Sequence, residues 1–293
     1  LLVLLAFWYK GYSIGLAKYF MMIYAQPLNE DIRRISEPHM IGYEQPLNEK
    51  IRLFMRLELL TGRFLYHISK DPQPEDTVAA LHLLLDLYNL SARLDVKSEI
   101  LKEIDRMGQS ARLLMRKEDA DATRLDAVLE KLNHHSDVLY QQRGQLGQHL
   151  KNHMFFNSLR QRSTLPGGLN GFDIPLFHYW QEQSIDVRID DLNEWIEPYV
   201  TANAAARELL NIVRDFGERY EEVAKEGFYQ SMMEARKPYQ MMRVELPDNV
   251  DYYPEISAGK QRFTLRFVNA DMLAERGKQN HKDVKFTLVL CSF

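Results

Sequence analysis

Between Tyr43 and Gly227 the apolar residues recur at three- and four-residue steps, and beyond Gly227 they alternate with polar ones. The first period is that of an amphipathic helix and the second that of a strand with one buried face. Leu47, Ile51, Phe54, Met55, Leu57, Leu59 and Phe64 open the helical stretch. Pro46 stands at the expected first helical position, and Glu49 in the first turn, where the helix dipole favours a negative charge. Two prolines in DPQPED (71–76) break the chain, and TVAALHLLLDLYNL (77–90) follows, apolar on more than one face and so expected to be buried among other helices. Asp95 is placed to cap a helix whose stripe runs through Ile100, Leu101, Ile104, Met107 and Leu114. Further helices are expected over about 121–142 and 146–163, from LFHYW (176–180), and within DLNEWIEPYVTANAAARELLNIVRDFGERYEEVAKEG (191–227). Period-two alternation then predicts strands in YQMMRVEL (239–246), KQRFTLRF (260–267) and DVKFTLVL (283–290). The fold class read from this pattern is α+β: a mainly α-helical domain over 43–226, followed by a smaller antiparallel β-sheet domain over 227–293.

The remaining segment, 1–42, is an N-terminal extension with two peculiarities. YAQPLNEDIR (24–33) is nearly repeated as YEQPLNEKIR (43–52). Only the second copy feeds a long apolar-periodic stretch, so it is the expected helix start. The apolar run at 1–26 is interrupted by Lys10 and Lys18. A lysine near the centre of a membrane span costs roughly 2.5–3.5 kcal/mol, and no small-residue cleavage site is evident. A membrane span is not expected there, and the segment is read as a prefix foreign to the working protein, with translation beginning near Met40.

At 45% hydrophobic residues, the chain can bury a substantial core. Its net charge of −4 argues against a dedicated nucleic-acid binder, which needs clustered Lys and Arg to neutralise phosphates. The single cysteine, Cys291, forbids an intrachain disulfide and a multi-thiolate metal site within one chain. A reducing compartment fits.

Enzyme signatures are sparse. The glycines of LPGGLNGFDIP (165–175) have no downstream Gly-Lys-Ser/Thr, so they read as a turn-rich linker and not as a phosphate loop. His149 and His153 are four apart on an expected helix, a spacing that can place two imidazoles on one metal. Leu150 stands where a catalytic Glu would be, and no third ligand is near in sequence, so surface histidines are the better account. A hydrolase built on His178 and Asp173 would lack a nucleophile motif. No catalytic residue, cofactor or metal is therefore assigned. The constellation with directional content is GKQRFTLRF (259–267). As a strand it places Lys260, Arg262, Thr264 and Arg266 on one face and Phe263, Leu265 and Phe267 on the other. Such a cationic stripe repels itself unless a partner or facing carboxylates neutralise it.

YEQPLNEKIRLFMRLELL (43–60), EILKEIDR (99–106), LRQRSTLPGGLNGFDIPLFHYW (159–180), GFYQ (227–230) and YPEISAGKQRFTLRF (253–267) come in the order of blocks in the ZapD family, which this chain resembles over about 43–293. These bacterial division-ring proteins associate with the tubulin-like GTPase FtsZ. The resemblance implies a cytoplasmic, non-enzymatic homodimer at the division site. Such a dimer binds the C-terminal tail of FtsZ and cross-links or bundles its filaments, without a cofactor. It also implies a basic docking surface. Arg262 and Arg266, with Lys260, lie in the K-x-R-F-x-x-R-F segment and His178 in F-D-x-P-x-x-H-x-W, while Arg93 lies in a helix-preceding stretch. The alternative is a membrane-tethered adaptor that uses residues 1–26 as an anchor for the same binding domain.

Overall fold

The computed structural model describes residues 39–69, 71–118, 120–234, 237–259 and 261–293. Both the first QPLNE copy and the anchor reading of residues 1–26 lie outside the described residues. The described residues fall into two compact units, 53–209 and 39–52 with 210–293. The architecture is α+β.

The helical unit holds α1 (Glu49–Ser69, whose first turn belongs to the other unit), α2 (Pro74–Arg93), α3 (Val96–Leu114), α4 (Ala122–Gln141), α5 (Met154–Arg162), α6 (Pro175–Gln181) and most of α7 (Ile185–Asp215). The helix starts are set by local chemistry. Asn48 Oδ1 accepts the Ile51 N–H at 2.9 Å, so α1 begins at Glu49, three residues after Pro46, which ends a strand. This corrects the expectation of Pro46 at the first helical position. Asp95 caps α3 by accepting from Ser98 N, and Asp121 does the same for α4 with Arg124 N. Thr77, Ala80, Leu81, Leu84, Leu85, Leu87 and Tyr88 are buried on one broad face of α2, an arc of about 160° at 3.6 residues per turn. Near α5, α6 and α7 the core is aromatic: Trp180 stacks with Phe177 and Trp195, and Phe155 tilts against both tryptophans.

The β unit contains β1 (Met40–Pro46), β2 (Gly217–Ala224), β3 (Phe228–Met232), β4 (Tyr239–Pro247), β5 (Tyr252–Ala258), β6 (Arg262–Asn269) and β7 (Val284–Ser292). They form an antiparallel four-stranded sheet, β1-β4-β7-β2, and an antiparallel three-stranded sheet, β3-β6-β5. The buried faces meet. Met242, Val244 and Leu246 from β4, the even-numbered apolar residues of β7 and Phe263, Leu265 and Phe267 from β6 form one core, with Phe267 and Phe286 rings 5.2 Å apart.

Among the described residues, four strands lie where the sequence pattern named none: β3 and β5 inside the expected β region, and β1 and β2 outside it. β1 pairs with β4 from Met40↔Pro247 to Pro46↔Met241, so the stretch 43–46 is strand and not helix entry. Residues 217–224, read as helix, are β2, paired with β7 from Gly217↔Cys291 to Ala224↔Val284. Gly217 permits this exit from α7, since a Cβ there would meet Val289 Cγ1 at 2.6 Å. At the end of β2, Glu226 and Gly227 both have positive φ. That is the geometry of a type I′ turn, and it carries the chain from one sheet to the other.

Candidate functional site

β6 is held on both sides. Its inward residues Phe263, Leu265 and Phe267 are fully buried, and β3 and β5 pair along its two edges. The outward residues Arg262, Thr264 and Arg266 therefore stand on a rigid sheet face, as the alternation predicts. Arg262 and Arg266 lie about 13 Å apart along the strand. Lys260 lies outside the described residues.

The two arginines differ in their surroundings. Arg266 is directly opposite Glu255 of β5, and its Nη2 and Nε donate to Glu255 Oε2 at 2.6 and 2.9 Å. A facing carboxylate thus answers part of the cationic stripe. Arg262 is exposed, and no described carboxylate lies within ion-pairing distance of it. Beside it, at the turn joining β5 to β6, a shallow cleft of about 600 Å³ is lined by Ser257, Ala258, Gly259, Gln261, Arg262, Phe263 and Thr264.

The pairing register adds two residues that the alternation of β6 alone could not reveal. Phe228 lies opposite Arg266 and Met232 opposite Arg262, both on β3. They are 44% and 75% exposed, so the face offers apolar contacts beside its cations. GFYQ (227–230) was the available signal for Phe228; only the pairing places Met232.

The other two sequence candidates belong to the helical unit. His178, exposed on α6, has Nδ1 3.9 Å from Glu182 Oε1, and its ring packs against Gly171. Arg93 is the last residue of α2 and also precedes α3, from which Leu94 in extended backbone and the cap Asp95 separate it. Glu182, one turn from His178, borders the same cleft as Pro74 and Glu75 at the start of α2. Arg93 stands at the other end of that helix, about 28 Å along its axis. The structure does not bring His178 and Arg93 together.

The groups weighed for catalysis have structural partners. His149, in a short 3-10 turn, bonds the Trp195 carbonyl through Nε2, while the His153 ring accepts from Phe156 N at the start of α5. The two therefore do not share a helix. Asp173 accepts from Asn170 Nδ2. Cys291 is buried, and burial pushes its thiol up to about 11, which leaves almost no thiolate at neutral pH. Among the described residues no group of three or more His, Cys, Asp or Glu is placed to hold a metal ion, and no helix is long and apolar enough to cross a membrane.

Comparison with known proteins is consistent over nearly the whole chain. The family model ZapD, described as "Cell division protein", matches residues 55–266. A cell division protein ZapD from Chromobacterium violaceum is 37% identical over 83% of this chain and 95% of its own length. One from Janthinobacterium sp. (strain Marseille) is 34% identical over 93% of this chain and all of its own. Its alignment, at 273 residues, is longer than the stretch 43–293, so it takes in part of the segment that the sequence reading left outside the resemblance. A third, from Methylococcus capsulatus, is 34% identical over 82% of this chain and 93% of its own length. The chain belongs to the ZapD family of cell division proteins.

Proposed function

We propose that this chain binds the C-terminal tail of FtsZ on the outer face of the β3-β6-β5 sheet and, as a cytoplasmic homodimer, cross-links FtsZ filaments at the division site. Beyond family membership, the observation that carries this reading is the outward pair Arg262 and Arg266 on a strand whose reverse side is locked in the core. Preorganised guanidinium groups bind carboxylates bidentately and lose little entropy in doing so. Phe228 and Met232 supply an apolar strip for an adjacent side chain of the tail. A twofold dimer would present two such faces. Each tail site can then be weak, because the many tails of a polymer supply avidity. The reading contains no catalytic step and no cofactor.

Co-pelleting with FtsZ polymers tests it. The chain from Met40 onward is compared with an Arg262→Ala/Arg266→Ala variant shown to be folded and of unchanged oligomeric state. Wild type is expected to bundle full-length but not tail-deleted FtsZ, and the double variant to lose bundling. Normal bundling by the double variant would remove the site assignment. No effect of wild type on FtsZ would remove the function.

A further inference from the structure

The helical unit buries a cation that the tail-binding reading does not use. Arg188, in the first turn of α7, is only 3% exposed. Its Nη1 donates to Thr77 Oγ1 at 3.1 Å, and its guanidinium carbon lies 5.8 Å from the centroid of the Trp180 ring. Its Nε is buried without a hydrogen-bond partner, and no described carboxylate comes within ion-pairing distance. Thr77 belongs to the first turn of α2, so the guanidinium stands at the positive end of that helix dipole and not against it. Asp76, the acid of that turn best placed to offset the dipole, is engaged by Gln73 N and His67. Asp191, one turn along α7, accepts from Trp180 Nε1. A buried charge in this position is poorly compensated by the protein itself.

A cleft of about 240 Å³ opens onto this cation, lined by Pro74, Glu75, Val78, Gln181, Glu182 and Arg188. Glu75 and Glu182 are exposed carboxylates of its lining, and neither is paired with Arg188. The volume suits a group of a few heavy atoms and not an extended chain. We propose that this cleft is a carboxylate site, in which the Arg188 guanidinium takes the anion beside the start of α2. Glu75 and Glu182 act as a negative rim that limits its affinity. The same chemistry is offered by a free organic acid and by an acidic side chain of a partner protein.

The Trp180 ring over Arg188 provides the readout. The chain has three tryptophans, so indole N–H signals are few, and a Trp180→Phe spectrum assigns the relevant one. Acetate, and separately acetyl-aspartate amide, is titrated into the full chain at fixed ionic strength with chloride as the balancing anion. The Trp180 signal is expected to shift and saturate in wild type. Tighter binding of the capped aspartate indicates a partner side chain, and tighter binding of acetate a free acid. Val78→Phe, which fills the cleft and leaves the Arg188 residue unchanged, should weaken binding at least about tenfold. Glu75→Gln/Glu182→Gln, on exposed positions, should tighten it about two- to fivefold. Absence of a saturable shift in folded wild type, or unchanged affinity in a folded Val78→Phe variant, overturns the proposal.

Discussion

His135 is the residue whose burial most directly ties stability to pH. Burial lowers its pKa below the ordinary 6.5, the neighbouring His134 and Lys131 push the same way, and Glu208 of α7 pulls partly back. Lys131 and Glu208 are themselves paired at 3.0 Å, which spends some of that carboxylate's influence. The sign follows from linkage. Above pH 6.5 the ring is neutral in both states, so its contribution is complete. As pH falls below 6.5 the unfolded chain takes up the proton first, and stability is lost until the lowered folded value is reached. Denaturant midpoints measured between pH 5 and 7 should therefore fall with acidity, and His135→Gln should flatten that slope. An unchanged slope in the variant would assign the acid sensitivity elsewhere.

At the scale of elements, one aromatic ring touches both sheets within their shared core. The Phe286 ring lies 5.2 Å from both Phe267 and Tyr229, across the space between the sheets. Phe286→Ala should cost about 3–5 kcal/mol, read as a lower denaturation midpoint for β-sheet signals. A loss below about 1 kcal/mol would mean that the sheets are held together by other contacts. This core was largely legible in the sequence, because β4, β6 and β7 as far as Leu288 alternate; alternation did not reveal that the larger sheet is buried on its other face too, at Met241, Val289 and Cys291. β2 was not legible. Its ERYEEVA continues a helix-favouring stretch and becomes strand only through pairing with β7 along its whole length. β5 hides behind Pro254, tolerated because β5 is an edge strand. β1 is exposed over its first three residues and carries no clear alternation, and long-range pairing with β4 defines it. That pairing gives β1 a testable weight. A chain beginning at Met40 keeps it, whereas one beginning at Leu47 leaves the edge of β4 open. The shorter chain should aggregate or melt earlier in light scattering and thermal scans, and equal behaviour of the two would show that β4 tolerates the open edge.

For the whole molecule, the proposed function requires a chain of net charge −4 to attract a tail bearing carboxylates. The basic half of the proposed site was legible because alternation along β6 separates Arg262 and Arg266 from Phe263, Leu265 and Phe267. Its apolar half was hidden, since Phe228 and Met232 gain their place only through β3–β6 pairing. Glu255 was hidden for the same reason, and it bears on affinity. Already bonded to Arg266, it competes with any incoming carboxylate. Both partners are roughly half exposed, so the pair itself adds little stability. Exposed charge contacts weaken as the screening length shortens, from about 8 Å at physiological ionic strength to about 3 Å at 1 M. A dimer interface built on apolar burial would not weaken in this way. Bundling of FtsZ should accordingly fail at a salt concentration where sedimentation still reports an intact dimer. Glu255→Gln frees Arg266 and removes one negative charge from the face, so bundling should persist to higher salt in that variant, while Arg266→Ala lowers the threshold. If bundling and dimerisation fail together, the salt dependence belongs to assembly of the dimer. If Glu255→Gln leaves the threshold unmoved while Arg262→Ala lowers it, the tail is held at the Arg262 end of β6, beside Met232 and the cleft at the β5–β6 turn.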